Sequence, residues 1–298
     1  AEAVTQLEKA VAMNADDAWL HVSLGTAQFG LKHPDRGLES FERAVELDPS
    51  PQVLIDVATT LAERKTGLDR AQHFGESAVA TLTAQMRNVR LDRLTLGDLA
   101  NVNHLAKCWN TLGWVHFLKG STAAAVKYLS AAWQLGQDGT VADRLGQAYQ
   151  RAGKQELAGE YYALSAADVR PKPDGRRHLV SLLGEAKAQI VLDQQKQRIP
   201  NLRAYDVPGA KGDGSAEFFV ALAPGPKVAE VRFASGSETL KPLANALKSV
   251  RFTMNFPDAN ETRVIRRGIL TCSAGERKPP ETPCSFILLN PEDVHSVD

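Results

Sequence analysis

The first half of the chain repeats a pattern of small and aromatic residues at an interval of 34 residues. Gly37 and Ala44, for example, are followed 34 positions later by Ala71 and Ala78. The positions that carry the pattern most clearly are Leu24, Gly25, Gly37, Phe41, Ala44, Trp109, Leu112, Gly113, Ala125, Ala132, Leu145, Gly146, Tyr149, Ala158 and Tyr162. A fixed period of this length is typical of a solenoid, in which each unit buries its apolar face against the next. The period therefore predicts a stack of helical hairpins.

The residue types at these positions suit closely packed pairs of helices. Small residues such as Gly25 and Gly37 let two helices approach, while rings such as Phe41 and Tyr162 fill the remaining space. The spacing resembles the tetratricopeptide repeat (TPR), and Trp109 stands where that repeat has its tryptophan. This resemblance implies a noncatalytic scaffold that holds a protein or peptide ligand and requires no cofactor.

The repeats are unequal, and two interruptions divide the chain. Ala58 and Thr59 replace the Leu-Gly pair in the second repeat, which is therefore degenerate. Because the chain opens on the second helix of a repeat and lacks an initiator Met, we expect it to be a fragment of a longer protein. The predicted divisions are a repeat domain at 1–172 (half repeat 1–17, repeats at about 18–51, 52–85, 106–139 and 139–172, inserted hairpin 86–105), capping helices and a linker at 173–204, and a second domain at 205–298.

Beyond the linker, the hydrophobic period changes from helical to two. Residues 217–222 and 228–233 alternate as two strands joined by a Pro-Gly-Pro turn, and Val264 to Cys272 and Cys284 to Leu289 supply two more. An apolar helical stripe between the two pairs consists of Leu240, Leu243, Ala244, Leu247 and Val250. The predicted fold class is therefore α + (α+β): a TPR-type α-solenoid followed by a small β-β-α-β-β domain, with the helix on one face of an antiparallel sheet.

The segment 218–252 resembles the C-terminal domain of TonB. The positions that carry this match are Ser235, Gly236, Leu240, Ala246, Arg251 and Phe252. The resemblance implies that an edge of the sheet pairs with a partner strand. The arginines that could add charge selection there, or simply form a solvated face, are Arg232, Arg263, Arg266 and Arg267.

Together with the repeats at 109–154, this segment also resembles the C-terminal region of large secreted bacterial proteins that carry a transglutaminase-like domain upstream. That resemblance implies a noncatalytic tail of an exported protein. The alternative is an accessory region that positions substrate for a transglutaminase-like or protease-like enzyme, whose catalytic domain would lie upstream. The sequence contains no residues of that catalytic core, so none is assigned.

Two cysteines bracket the last predicted loop. Cys272 and Cys284 lie near the facing ends of neighbouring antiparallel strands, within reach of a disulfide bond. A bond there would indicate an oxidising compartment and so a periplasmic or secreted protein. Two unpaired thiols are the alternative, and they would fit a cytoplasmic location.

Other candidate chemistry in the sequence is weak. His104 and Cys108 share one side of a predicted helix as a base and nucleophile would, but no third orienting group is evident, and a packing role for Cys108 is favoured. We assign no catalytic residue, metal site or cofactor. The net charge of zero disfavours nucleic acid as a partner, and no apolar run approaches the ~20 residues that span a membrane. The oligomeric state stays open.

A ligand site is predicted on the concave surface, which the first helix of each hairpin lines in this repeat. The predicted contact residues are Asn110, Trp114 and Phe117 in the third repeat and Asp143, Gln147, Gln150 and Arg151 in the fourth. Aromatic rings beside amides and charges suit an extended peptide or a helix. The alternative for Trp114 and Phe117 is a place in the core of the stack.

Overall fold

A computed structural model describes residues 2–168, 173–224, 227–257, 262–273 and 283–297 of the chain. The solenoid helices are α1 (Glu2–Met13), α2 (Ala18–Gly30), α3 (Pro34–Leu47), α4 (Pro51–Glu63), α5 (Leu68–Met86), α6 (Leu96–Leu118), α7 (Thr122–Gly136), α8 (Gly139–Arg151), α9 (Gln155–Ala166), α10 (Pro173–Leu183) and α11 (Glu185–Arg198). Consecutive helices α2–α3, α4–α5, α6–α7 and α8–α9 form hairpins, and α10 and α11 pack on α9 at the end of the stack.

The repeated glycines mark the points where the two helices of a hairpin approach most closely. A Cβ atom at Gly25 would lie 2.6 Å from the ring of Phe41, and one at Gly146 would lie 2.6 Å from the ring of Tyr162. Neither distance leaves room for a side chain. The same glycine-to-ring contact therefore sets the helix spacing in the first and the last complete hairpin.

The segment 86–105 lengthens one hairpin. Helix α5 continues to Met86, and a short 3₁₀ turn at Leu91–Arg93 leads into α6. A capping box begins α6, because the Thr95 hydroxyl accepts from the Asp98 N–H and the Asp98 carboxylate accepts from the Thr95 N–H. The predicted insertion is thus built from extended ends of α5 and α6 and the turn between them.

The second part of the chain is a five-stranded antiparallel sheet in the order β1-β5-β4-β2-β3. Its strands are β1 (Ala204–Asp206), β2 (Gly214–Ala223), β3 (Lys227–Gly236), β4 (Val264–Cys272) and β5 (Cys284–Leu288). The predicted fold class, a helical solenoid followed by a small antiparallel sheet, is confirmed. Cys272 pairs with Cys284 in the β4–β5 register, and a disulfide joins them across a Cα–Cα distance of 4.1 Å.

Two details of the sheet domain differ from the sequence-based expectation. The short strand β1 was not predicted; it forms across the predicted boundary between linker and second domain, because β5 offers it an open edge to pair with. The predicted helix is mostly a 3₁₀ helix at Glu238–Leu243, followed by only one α-helical turn, α12 (Ala244–Leu247). Pro242 explains the second difference, since proline has no N–H to donate to an α-helical ladder.

The sheet domain packs directly against the solenoid. One apolar cluster includes Leu82 and Leu105 of the helices together with Phe218 and Phe286 of the sheet. Polar contacts reinforce it: Thr262 Oγ1 lies 3.1 Å from Thr83 Oγ1, Arg263 Nη1 donates to the Val89 carbonyl at 3.0 Å, and the Asn255 N–H donates to Gln134 Oε1 at 2.6 Å. The two parts of the chain therefore share one core.

Arg266 is part of this junction and does not form a solvated face. Its side chain is 2% exposed, and its guanidinium donates to the carbonyls of Gln134 and Leu289 at 3.2 and 2.8 Å. Burial lowers the pKa of Arg266 to about 10, so the side chain remains charged at neutral pH. The sequence alone could not place it here, because it does not show that α7 covers β4.

Candidate functional site

A groove runs along the first helices of three successive hairpins, α4, α6 and α8, and encloses about 540 Å³. Its opposite wall is the segment 290–293, which follows β5 and includes a 3₁₀ turn at Pro291–Asp293. The apolar lining residues are Ile55, Ala106, Ala132 and Val141. The polar and charged ones include Asp56, Thr59, Glu63, Asn103, Lys107, Asn110, Thr111, Asp138, Arg144, Asp168, Asn290, Glu292 and Asp293. Both parts of the chain thus build this groove.

Arg144 connects the three helices at one end of the groove. It is 9% exposed, donates from Nη1 to Asn110 Oδ1 at 3.1 Å, and lies 3.7 Å from the carboxylate of Glu63. Its guanidinium also lies over the ring of Trp114, 5.1 Å from the centroid. Burial lowers the pKa of Arg144, and the carboxylates of Glu63, Asp138 and Asp143 offset only part of that decrease. This one cation therefore fixes the relative positions of α4, α6 and α8.

Two further contacts join α4 to α6. Thr59 Oγ1 lies 2.8 Å from Thr111 Oγ1, and Gln52 Nε2 lies 3.2 Å from His104 Nδ1. Asp56 lies between them in sequence. Partial burial raises the pKa of its carboxyl group, and Lys107 and His104 offset part of that rise. The α4 wall therefore presents a carboxylate to the groove.

The N-terminus of α8 is closed by carboxylates. Asp138 Oδ1 accepts from the N–H groups of Thr140 and Val141 at 2.7 and 3.2 Å, and Asp168 Oδ2 accepts from the Gly139 N–H at 2.6 Å. The first N–H groups of α8 are therefore already bonded within the chain, and this helix end offers no site for an anion.

Residues 20–51 match a family model described as tetratricopeptide repeat. This segment is similar to a TPR. The matched residues contain nearly all of α2 and α3, the hairpin that the Gly25–Phe41 contact closes. No curated protein matches the chain significantly.

Several solved TPR and TPR-like structures are similar to this chain. The structure of pilF from Pseudomonas aeruginosa shares 18% identity, covering 68% of this chain and 82% of that chain, with a TM-score of 0.46. YrrB, a TPR protein with an unusual peptide-binding site, shares 16% identity over 66% and 93% of the two chains, with a TM-score of 0.40. A thermophilic TPR protein from Thermus thermophilus shares 21% identity over 56% and 98%, with a TM-score of 0.33.

The contact residues predicted in the third repeat, on α6, divide between groove and core. Asn110 lines the groove and accepts from Arg144. Trp114 is half-buried and stacks on Phe117, with 4.9 Å between ring centroids. Phe117 is buried, and the guanidinium of Arg151 covers its ring at 3.5 Å. The two rings therefore occupy the packing between α6 and α8, next to the groove.

The contact residues predicted in the fourth repeat, on α8, contact one another and the end of the stack. Asp143 is buried and pairs with His178 Nδ1 at 2.8 Å, and Gln147 Nε2 donates to Asp143 at 2.8 Å. Gln150 accepts from the hydroxyl of Tyr162 at 2.7 Å. These side chains link α8 to α9 and α10. Among the seven predicted contact residues, all of which the structure describes, Asn110 is the one in the groove lining.

Two groups of lining residues lie outside the third and fourth repeats, in which the contacts were predicted. The first is on α4, where Asp56 occupies the position equivalent to Asn110 when the Ala58-Thr59 pair is aligned with Leu112-Gly113. That signal was present in the sequence, although the repeat is degenerate. The second group is the segment 290–293, which no repeat pattern could reveal because it reaches the groove only through the docking of the sheet.

Within the described ranges, no group of three or more His, Cys, Asp or Glu side chains is arranged to hold a metal ion. None of the helices described is both long enough and apolar enough to cross a membrane.

Proposed function

We propose that this chain is a noncatalytic scaffold that binds a protein or peptide ligand in the groove. The observation that carries the proposal is the groove itself, which spans three TPR hairpins and has the sheet domain as its second wall. Its apolar residues can bury side chains of a ligand, while its polar groups can fix the orientation of an extended or helical segment.

The polar groups of the groove support binding more than chemistry. Arg144 is engaged by Asn110 and Glu63, and Asp138 caps α8. Both side chains are thus already bonded within the chain. These residues hold the helices in place, and the exposed groups between them are available for contacts to a ligand.

A steric block in the groove tests the proposal. Asn103 lines the groove on α6 and is half-buried, so Asn103→Trp fills space without changing charge. Ala123→Trp, at an exposed position on α7 outside the groove, is the matched control. The readout is capture of peptides from a random-sequence display library by each folded variant, with circular dichroism to verify the helices.

The proposal predicts that Asn103→Trp weakens binding of the captured peptides by about tenfold or more, equivalent to ~1.4 kcal/mol, whereas Ala123→Trp leaves it unchanged. Equal binding by the two variants would show that any captured peptide lies elsewhere. Failure of the wild-type chain to capture peptides at all would also contradict the proposal.

We also propose that the chain works in an oxidising compartment, as a periplasmic or secreted protein. The support is the bond between Cys272 and Cys284, since structural disulfides persist where thiols are not continually reduced. Mass spectrometry of alkylated protein from the native cell, without reductant, measures the state of the pair. Two alkylated thiols at these positions would favour the cytoplasm instead.

Three finer interpretations stay predictions: the likeness of the sheet domain to TonB, the likeness to tails of transglutaminase-like proteins, and an origin in a longer exported protein. Partner binding at a sheet edge depends on the first. It would use β3, which lies at one edge of the described sheet. Blocking the groove by Asn103→Trp would leave this second mode intact, so the same experiment separates the two.

A further inference from the structure

The groove has a strong charge imbalance in a chain that is neutral as a whole. The sequence has equal numbers of basic and acidic residues, 35 of each. The groove is lined by only two cations among the described residues, Lys107 and Arg144. Its carboxylates are Asp56, Glu63, Asp138, Asp168, Glu292 and Asp293. The negative charge is therefore a local property of this surface and not of the protein surface in general.

The carboxylates stand on both walls. Asp56 and Glu63 lie on α4, and Glu292 and Asp293 lie on the opposite wall that the sheet domain supplies. All four side chains are exposed. Arg144 is largely buried and lies 3.7 Å from Glu63, so this pair cancels and leaves Asp56, Glu292 and Asp293 on the two walls against Lys107. A ligand lying between the walls would therefore meet acidic groups from two sides.

A neutral acceptor adds to this pattern. In the wall at 290–293, the Oδ1 atom of Asn290 is buried and has no hydrogen-bond donor among the residues that the structure describes. A buried acceptor without a donor costs free energy. Its partner would have to be a donor such as an N–H group, which a carboxylate or phosphate ligand does not supply, so this acceptor agrees with a donor-rich ligand.

We propose that the groove selects a cationic protein segment, one that carries lysine or arginine side chains between the α4 wall and the 290–293 wall. This inference rests on the proposed function and adds the chemical class of the ligand. Charges of one sign in a concave site raise the local concentration of an oppositely charged partner and suppress partners of like charge. The same charges disfavour nucleic acid in this groove.

The test uses three pools of short synthetic peptides that are identical except at one chosen set of positions. At those positions the first pool has lysine and arginine, the second has glutamine, and the third has glutamate. Binding to the full chain is followed by fluorescence anisotropy at low and at physiological salt. Asp56→Asn combined with Asp293→Asn removes one carboxylate from each wall. Glu8→Gln combined with Glu39→Gln, both at exposed positions outside the groove, is the matched control for net charge.

We expect the cationic pool to bind best, and the groove variant to weaken its binding by about three- to tenfold. The control variant should retain wild-type affinity, and the difference should shrink as salt screens the charges over a Debye length of ~8 Å. Equal weakening in both variants would reduce the effect to net charge and overturn the proposal.

The failure of this inference is distinguishable from failure of the proposed function. If the glutamine or glutamate pool binds as well as the cationic pool and Asn103→Trp blocks that binding, the groove binds peptides without selecting cations. If none of the pools binds and the display library also yields no peptide, the proposed function itself fails. Binding of spermine with no preference among the peptide pools would limit the site to small polyamines and would also contradict the proposal.

Discussion

The solenoid and the sheet domain are stabilised by contacts of different range. In the solenoid, one local contact recurs: Gly25 meets Phe41 in the first complete hairpin, and Gly146 meets Tyr162 in the last. In the sheet domain, the decisive contacts are single and distant in sequence, such as that of Arg266 with Gln134 of α7, 132 residues away. The stability of the solenoid is therefore a sum of similar contacts between neighbouring helices, whereas the stability of the sheet domain depends on particular long-range contacts.

Replacing Arg266 should therefore have the largest effect. Arg266→Ala leaves the buried carbonyls of Gln134 and Leu289 without a charged donor and opens a cavity at the junction. We expect a loss of about 3–5 kcal/mol in the free energy of unfolding, measured by urea denaturation followed by circular dichroism and by tryptophan fluorescence.

Arg251→Ala is the matched control, because that side chain is exposed and near α12 in the same domain. It should change the free energy of unfolding by less than about 0.5 kcal/mol. If Arg266→Ala were as mild as this control, the junction would not depend on one buried cation, and the contrast between the two parts would be lost.

Removal of the disulfide should have the second-largest effect on stability. Cys272 and Cys284 are 12 residues apart in sequence, and in the chain-entropy treatment a bond across a loop of about that length contributes roughly 3 kcal/mol. The double variant Cys272→Ala, Cys284→Ala should lose that amount, and reductant should lower the stability of the wild type but not of the variant. If reductant left the stability of the wild type unchanged, the assigned bond would be contradicted.

The smallest expected effect concerns one glycine of the solenoid. Gly25→Ala brings a Cβ to 2.6 Å from Phe41; we expect the overpacking to exceed the gain in helix propensity and to cost about 1 kcal/mol net. Gly30 lies on the same helix, and a Cβ added there would have no neighbouring atom within 4 Å, so Gly30→Ala should stabilise the chain by up to about 1 kcal/mol.

Opposite signs for these two substitutions in thermal unfolding would show that close approach, and not helix propensity, selects glycine at the repeat positions. Stabilisation by both would remove that explanation. It would also weaken the contrast with the sheet domain, since the solenoid contact would then be dispensable.

The sequence was most informative where structure follows from local spacing. The glycine and aromatic positions predicted the helical hairpins, and the alternation at 217–222 and in the later segments predicted the strands. Local chemistry also limited those predictions. Pro242 reduced the expected helix to a 3₁₀ segment and one α-helical turn, and the unpredicted strand β1 formed because an edge of β5 was available. The first of these could have been foreseen from the proline, and the second could not.

The candidate site also has residues that local spacing predicts and residues that it does not. The inward position of the third repeat predicted Asn110, and the equivalent position of the degenerate second repeat is Asp56. The packing of Trp114 against Phe117, and the pairing of Asp143 with His178, depend on how far neighbouring hairpins rotate relative to one another. A one-dimensional pattern does not contain that rotation.

By itself, the sequence determined that this chain forms a solenoid of helical hairpins followed by a sheet, because the period of small and apolar residues is a local property of the chain. Only the tertiary structure decided that the two parts share a core and that Arg266 lies inside it. It also decided that the groove has a second wall at 290–293. These features arise from contacts between residues more than a hundred positions apart, and no local spacing encodes which distant surfaces will meet.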